Sequence, residues 1–333
     1  MRAVAVARPG GLDRLGLVKR PVPEPGAGEI LVRVAFAAAN WGDIQKRQGI
    51  YPDPIAYPAV LGAEFSGRIV KLGPGVRGLA VGDRVAAIAG PTMLGGFADY
   101  AAIPAGYAMA LPKRLPLRAA AALPVAFLTA YHLLQTAHRV KRGEVVLVHA
   151  IGGAVGLALI QLARAFGAIP IGTVGARPKM RLPRKLGAAL VIDRGAEDFV
   201  AAAMRFTKGR GVDLVIDSLG GEILPRSFEA LRPFGRLINI GEASGEPDFP
   251  IRKTLYRRST SMAGFEVLHA GPGSAGWRKG VRFLMAGAAR GRFAMPVAGV
   301  YPMAKIAKLQ ARLEGRGVSG KLLLKVGGEK VGT

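Results

Sequence analysis

The segment His149-Ala150-Ile151-Gly152-Gly153-Ala154-Val155-Gly156 sets three glycines and two alanines in eight residues. Side chains this small let a chain turn tightly, bring backbone N–H groups against an anion and pack the next helix close to a sheet. The chemistry they offer is the cradling of a pyrophosphate. Ala150, Gly153 and Gly156 stand at the spacing of the dinucleotide-binding turn, with alanine in place of its first glycine. A tight turn without a ligand could use the same residues, so the flanking elements have to decide.

About twenty residues further on, a site selective for an unphosphorylated ribose carries an acid that binds the 2′-hydroxyl. Here that stretch reads Gly175-Ala176-Arg177-Pro178-Lys179, with no acid. Arg181, Arg184 and Lys185 follow, and Arg194 comes later. Basic side chains bind a 2′-phosphate that an acid would repel. The expected cofactor is therefore NADPH, although the same residues could be a solvated basic helix face.

Other chemistry is thinner. Tyr51 has a phenol able to give a hydrogen bond or proton to a reduced carbonyl oxygen; a packing tyrosine before Pro52 would look the same. Arg47 could steady an anionic intermediate or simply be a surface cation. Glu64 and Asp43 read as loop braces, with no metal to partner them. The chain has no cysteine, which excludes disulfides, thiolate zinc sites and a cysteine nucleophile. Its four histidines show no ligand spacing. His132 and His138 read as helix residues and His149 as packing beside the turn.

These groups must be positioned by elements the sequence also reveals. Up to about Leu123, short apolar runs such as Glu29–Ala35, Gly67–Leu72 and Asp83–Ile88 are broken by glycine and proline, which predicts a β-rich domain. From Pro124 the texture alternates strand and helix. Val145–Val148 is a continuous apolar run, as for a strand buried on both faces. Val155–Phe166 has helical spacing and ends at Gly167. Further strands are expected at Ile171–Val174, Leu190–Ile192, Leu214–Ile216, Leu237–Ile240 and Met262–Val267, with helices between the first five. That rhythm is α/β, a doubly wound parallel sheet. A helix over Gly276–Gly287 and a strand over Lys321–Val326 return to the first texture.

The 333-residue chain carries 47 Lys and Arg against 22 Asp and Glu, a formal charge of +25. Such a charge favours anionic partners, nucleic acid among them, but also describes a basic protein that stays soluble by self-repulsion. No run alternates aromatic and basic residues as a single-strand-binding face does. The apolar stretch Ala119–Leu134 is too short and too polar to cross a membrane, and the N-terminus lacks a signal-peptide core. A cytoplasmic protein is the expectation.

Taken together, the residues resemble the medium-chain dehydrogenase/reductases and, within them, the zinc-independent quinone oxidoreductases. The resemblance is carried by Asn40-Trp41-Gly42-Asp43, Arg47-Gln48-Gly49-Ile50-Tyr51-Pro52, the segment Pro58–Gly67, Val81–Val85, Gly95–Tyr100, Leu128–Tyr131, the glycine turn and Gly320-Lys321. It implies a six-stranded Rossmann sheet (residues 124–267) inserted into a GroES-like domain (1–123 with 268–333). It also implies that Asn40 and Thr129 contact the nicotinamide. Gly152, Gly153, Ala154, Val155 and Gly156 would hold the pyrophosphate beside Gly175. Lys179 and Arg194 would bind the 2′-phosphate, and Gly241, Glu242, Ala243 and Ser244 would line the nicotinamide ribose. Asn40 and Ala63 stand where zinc-dependent relatives place ligands, and neither can supply the donor zinc prefers. The expected reaction is hydride transfer from NADPH to a quinone, with an activated C=C bond as the rival acceptor. The expected assembly is a homodimer paired through the last strand of the nucleotide domain.

Overall fold

The computed structural model describes residues 1–327. The chain divides into two compact units, Met1–Ala126 with the segment from Gly271 onward, and Phe127–Ala270.

In the first unit the ten-residue strand Glu29–Ala38 is the hub. It pairs antiparallel with Glu64–Leu72, Tyr100–Pro104 and Lys321–Lys325. Its side chains alternate towards a core that includes Ile30, Val32, Val34, Phe65, Phe97 and Leu324, all fully buried. Two registers place the polar groups of this unit. Glu64 lies opposite Ala38 on one side of the hub, and Leu323 lies opposite the same residue on the other. The residues just past Ala38 are thereby held between the start of the strand at Glu64 and the start of the strand at Lys321. Helix Trp41–Gln48 comes at once after them, and Gly49 in the left-handed conformation ends it.

The second unit is a six-stranded parallel sheet in the order Leu190–Asp193, Ile169–Val174, Val145–Val148, Val212–Asp217, Leu231–Asn239, Ser261–Gly264. Helices Ala154–Ala165, Arg181–Leu186, Phe199–Phe206 and Ile223–Ala230 make the crossovers between the first five strands in chain order. The order reverses between Val145–Val148 and Val212–Asp217, so the carboxyl ends of those two strands form the switch point where such sheets bind ligands.

The helix after the glycine turn closes on Phe166 with Gly167 behind it at φ +78°, as its spacing predicts. Two strands depart from the sequence expectation. The fifth begins at Leu231, because Arg232–Gly235 bulge out between Leu231, paired with Val212, and Arg236, paired with Leu214. The sixth stops at Gly264, where a 3-10 turn over Val267–Ala270 takes over, and a short helix, Ile251–Tyr256, precedes it. Ser261–Gly264 is one of the sheet's two edge strands, with Met262 38% exposed. No helix among the described residues is long and apolar enough to cross a membrane.

Candidate active site and cofactor turn

The glycine turn joins the buried strand Val145–Val148 to helix Ala154–Ala165. Ala150 stands at φ +52°, the left-handed conformation for which glycine is the natural residue. Gly153 caps the helix with extended backbone. Gly156 has no room for any side chain: a Cβ there would lie 2.5 Å from Ile151 Cα and 2.6 Å from Ile151 O. The turn is further tied by Ile151 N donating to Thr173 O at 2.9 Å and by Gly153 N donating to Ala150 O at 2.8 Å. The first-turn amides of a helix have no intrahelical acceptors and carry the positive end of its dipole. A turn of this form can cradle an anion, and its residues fit a dinucleotide pyrophosphate.

Ala150 holds its conformation against a cost that glycine would not bear. Ala150→Gly should raise stability by about 1 kcal/mol, read as a higher urea midpoint at unchanged slope. A lower midpoint would show that the alanine methyl contributes more by packing than its backbone conformation costs.

Past the neighbouring strand lies the basic wall. Gly175 is exposed, and Lys179 sits half-buried in the 3-10 turn Arg177–Met180. Arg194, at the end of the next strand, reaches back so that its Nη1 donates to Thr173 Oγ1 at 3.0 Å. Its Nη2 would stand 3.6 Å from a Cβ placed on Gly175. The adjacent acid, Asp193, uses Oδ1 to accept from Gly195 N at 3.0 Å within its own turn.

On the far side of the switch point Asp217 accepts from Leu219 N and Gly220 N, both at 3.0 Å, and from Asn239 Nδ2 at 3.1 Å. Burial pushes its carboxyl above the usual range. Asn239 Nδ2 also donates to Gly241 O at 3.0 Å. Ala243 N and Ser244 N donate to Ser218 O and Leu219 O at 3.2 and 2.7 Å. The Gly241–Ser244 loop is thus laced to Ser218 and Leu219, just past the neighbouring strand Val212–Asp217, with Glu242 and Ser244 exposed. Thr129, on helix Pro124–His132, is 8% exposed.

In the first unit, Asn40 is the hub of a polar cluster. Its Nδ2 donates to Glu64 Oε1 at 3.1 Å and to Ala38 O at 3.3 Å. The Lys321 ammonium donates to both Asn40 Oδ1 and Glu64 Oε1, and Glu64 Oε2 accepts from Val125 N at 2.9 Å. Glu64 therefore has a charged partner, where the sequence suggests only a loop brace. Lys321, visible in the sequence as half of a late Gly-Lys match, supplies that cation. Asp43 accepts from Asn40 N at 2.8 Å and Gly62 N at 3.2 Å, and burial pushes its carboxyl up to about 6. It braces the entry to helix Trp41–Gln48.

The two other first-unit candidates take different places. Arg47 is no surface cation: it is 1% exposed, and its guanidinium donates to Gly10 O, Gln310 Oε1 and Glu314 Oε1. Those bonds tie its helix to helix Ile306–Glu314. Tyr51 is half-buried, with the buried Lys46 Nζ over its ring at 4.5 Å from the centroid.

Two family models match the chain. The alcohol dehydrogenase GroES-like domain matches residues 26–113 and the zinc-binding dehydrogenase model matches residues 154–285. The donor set around Asn40 does not fit zinc. An ammonium stands in the cluster, the Asn40 amide nitrogen is spent as a donor, and the described residues contain no group of three or more His, Cys, Asp or Glu able to hold a metal. Among curated relatives, a 2-haloacrylate reductase from a Burkholderia species is 36% identical over 75% of each chain. A probable quinone oxidoreductase from Schizosaccharomyces pombe is 30% identical over 96% of each. Among solved structures, Escherichia coli quinone oxidoreductase complexed with NADPH is 30% identical, with a TM-score of 0.91 over 98% of this chain and 100% of that one. The chain is an oxidoreductase and belongs to the medium-chain dehydrogenase/reductase superfamily, in the company of its quinone oxidoreductases.

Proposed function

We propose that this oxidoreductase transfers a hydride from NADPH to a quinone. The observation that carries the cofactor is the wall beside Gly175: Arg194 folded over it, Lys179 in the next turn, and the adjacent acid Asp193 turned away into its own loop. NADPH, when bound, supplies the hydride. The chain's own residues bind and orient: the turn from Gly152 to Gly156 for the pyrophosphate, Lys179 and Arg194 for the 2′-phosphate, and Gly241 to Ser244 and Thr129 for the nicotinamide end. Asn40 has both amide hydrogens engaged and its oxygen turned to Lys321, so its orientation is set before any ligand arrives. Tyr51 is the proposed hydrogen-bond donor to the acceptor's reduced oxygen. The quinone as acceptor is supported by the quinone oxidoreductase relatives.

The 2-haloacrylate reductase relative supports a second reading, reduction of an activated C=C bond. NADPH oxidation measured across quinones, enones and 2-haloacrylates separates the two. Quinone turnover at least tenfold above the others is the expected result, and preference for the alkenes would replace the first reading by the second.

The cofactor assignment has its own test. The double variant Lys179→Ala, Arg194→Ala removes two charge-assisted contacts of roughly 1.5–3 kcal/mol each. The KM for NADPH should rise by about a hundredfold or more on that basis, with the KM for NADH little changed. Equal effects on both cofactors would sink the assignment.

A further inference from the structure

Beneath the carboxyl ends of the central strands runs a row of hydrogen bonds whose direction can be counted out. Ser227 Oγ donates to Ile223 O on its own helix at 2.7 Å, which uses its only proton. It must therefore accept from His149 Nε2, 2.8 Å away. An imidazole protonated at Nε2 and neutral accepts at Nδ1, and the group 2.9 Å from Nδ1 is Thr173 Oγ1. The hydroxyl proton of Thr173 is thus committed to His149, and its lone pairs face Arg194 Nη1 at 3.0 Å.

Burial, helped by the positive charge of Arg194, pushes His149 down to about 3, so the imidazole stays neutral and the row keeps one polarity. Phe199 packs against the imidazole in a T-shaped contact, with ring centroids 4.9 Å apart. Ser227 and Thr173 are fully buried and His149 is 2% exposed. None of the three can touch a ligand, and the row emerges at Arg194.

We infer that Thr173 and His149 are positioning residues that hold the Arg194 guanidinium over Gly175, ready for the 2′-phosphate of the cofactor. The inference rests on the NADPH reading above. An unrestrained arginine side chain has many rotamers, and ordering it on binding costs affinity. An acceptor whose lone pairs already face the guanidinium removes part of that cost. The unphosphorylated cofactor makes no use of Arg194 and gains nothing from the row.

The test compares Thr173→Val, Thr173→Ser and Arg194→Ala by fluorescence titration with NADPH and with NADH. Thr173→Val keeps the shape and removes the hydroxyl. It should weaken NADPH by about tenfold on the preorganisation argument while leaving NADH within about twofold. Thr173→Ser should restore the NADPH value. In the Arg194→Ala background, Thr173→Val should add no further loss for NADPH, because the threonine acts through the arginine. Should the valine variant not fold, Thr173→Ala makes the same comparison. Equal weakening of both cofactors, or no weakening of either, overturns the inference. If Arg194→Ala itself leaves the NADPH-to-NADH ratio unchanged, the cofactor reading is what has failed, and the inference goes with it.

Discussion

Replacing Lys321 with Met should lower the stability of the unit that contains it by roughly 3–5 kcal/mol, the cost of leaving a buried charge uncompensated. Lys321 is 2% exposed and its partner Glu64 is fully buried. Methionine keeps the length of the stem and removes the ammonium, so the loss is one of charge and hydrogen bonding, not of volume. Glu64 would keep the hydrogen bonds from Asn40 Nδ2 and Val125 N, which places the expected loss at the lower end of that range. Asn40 would lose the donor that faces its Oδ1, and turnover should fall with stability. The check is a double-mutant cycle with Glu64→Gln, read by denaturant midpoint. The neutral pair should be markedly more stable than the two single losses added together. Simple additivity would show that the two charges do not depend on each other.

The first unit shows why such a cluster is hard to read from a sequence. Glu64 and Lys321 are 257 residues apart, and what joins them is the pairing of two strands on opposite sides of one central strand. Nothing local to Lys321 announces it: a lysine at the head of the apolar run Leu322–Leu324 looks like a solvated strand end. The useful signal is present in a different form. Glu64 sits inside Leu61–Gly67, a stretch otherwise made of apolar and small residues, and a carboxylate there has to be compensated by something.

The second unit is far more legible, because its information is local. Apolar runs of three to six residues alternating with helical spacing dictate a parallel sheet, and six strands appear in it, two of them with shifted ends. The misses come from physics that a run of residues cannot display. The fifth strand, expected only from Leu237, starts six residues earlier at Leu231, with Arg232–Gly235 looping out of the pairing around Phe234, which takes φ +60° and is 76% exposed. The row from Ser227 to Arg194 is invisible in the sequence because Thr173 and Ser227 look like any small polar residues in buried elements. Their roles depend on which neighbour takes each proton, and that is decided only once the strands are side by side.

The glycine turn, where sequence and structure agree most closely, allows two roles of glycine to be told apart by experiment. At Gly156 the constraint is internal. A methyl there would overlap the Cα, carbonyl carbon and oxygen of Ile151, all within 2.7 Å, and no rotamer change can relieve a clash with backbone. Ile151 cannot retreat, since it is fully buried and its N–H is tied to Thr173 O, while Gly172 beyond it has no room to spare either: a Cβ there would lie 2.7 Å from Ile151 Cβ. Gly156→Ala should therefore move the whole turn, costing on the order of 1–3 kcal/mol of stability as overpacking does. At Gly153 the backbone is already extended at φ −77°, and a Cβ would approach only Ala150 O, at 3.2 Å. Gly153→Ala should leave the denaturant midpoint nearly unchanged. It should nevertheless weaken NADPH and NADH alike by about tenfold or more, because the methyl would stand in the proposed path of the pyrophosphate to the helix amides. Binding titrations set beside denaturation curves for the two variants give the comparison. Loss of both binding and stability at Gly156, against loss of binding alone at Gly153, is the expected pattern. Full cofactor affinity in Gly153→Ala would mean that the pyrophosphate does not pass over this residue, and the anion site would have to be moved elsewhere along the turn.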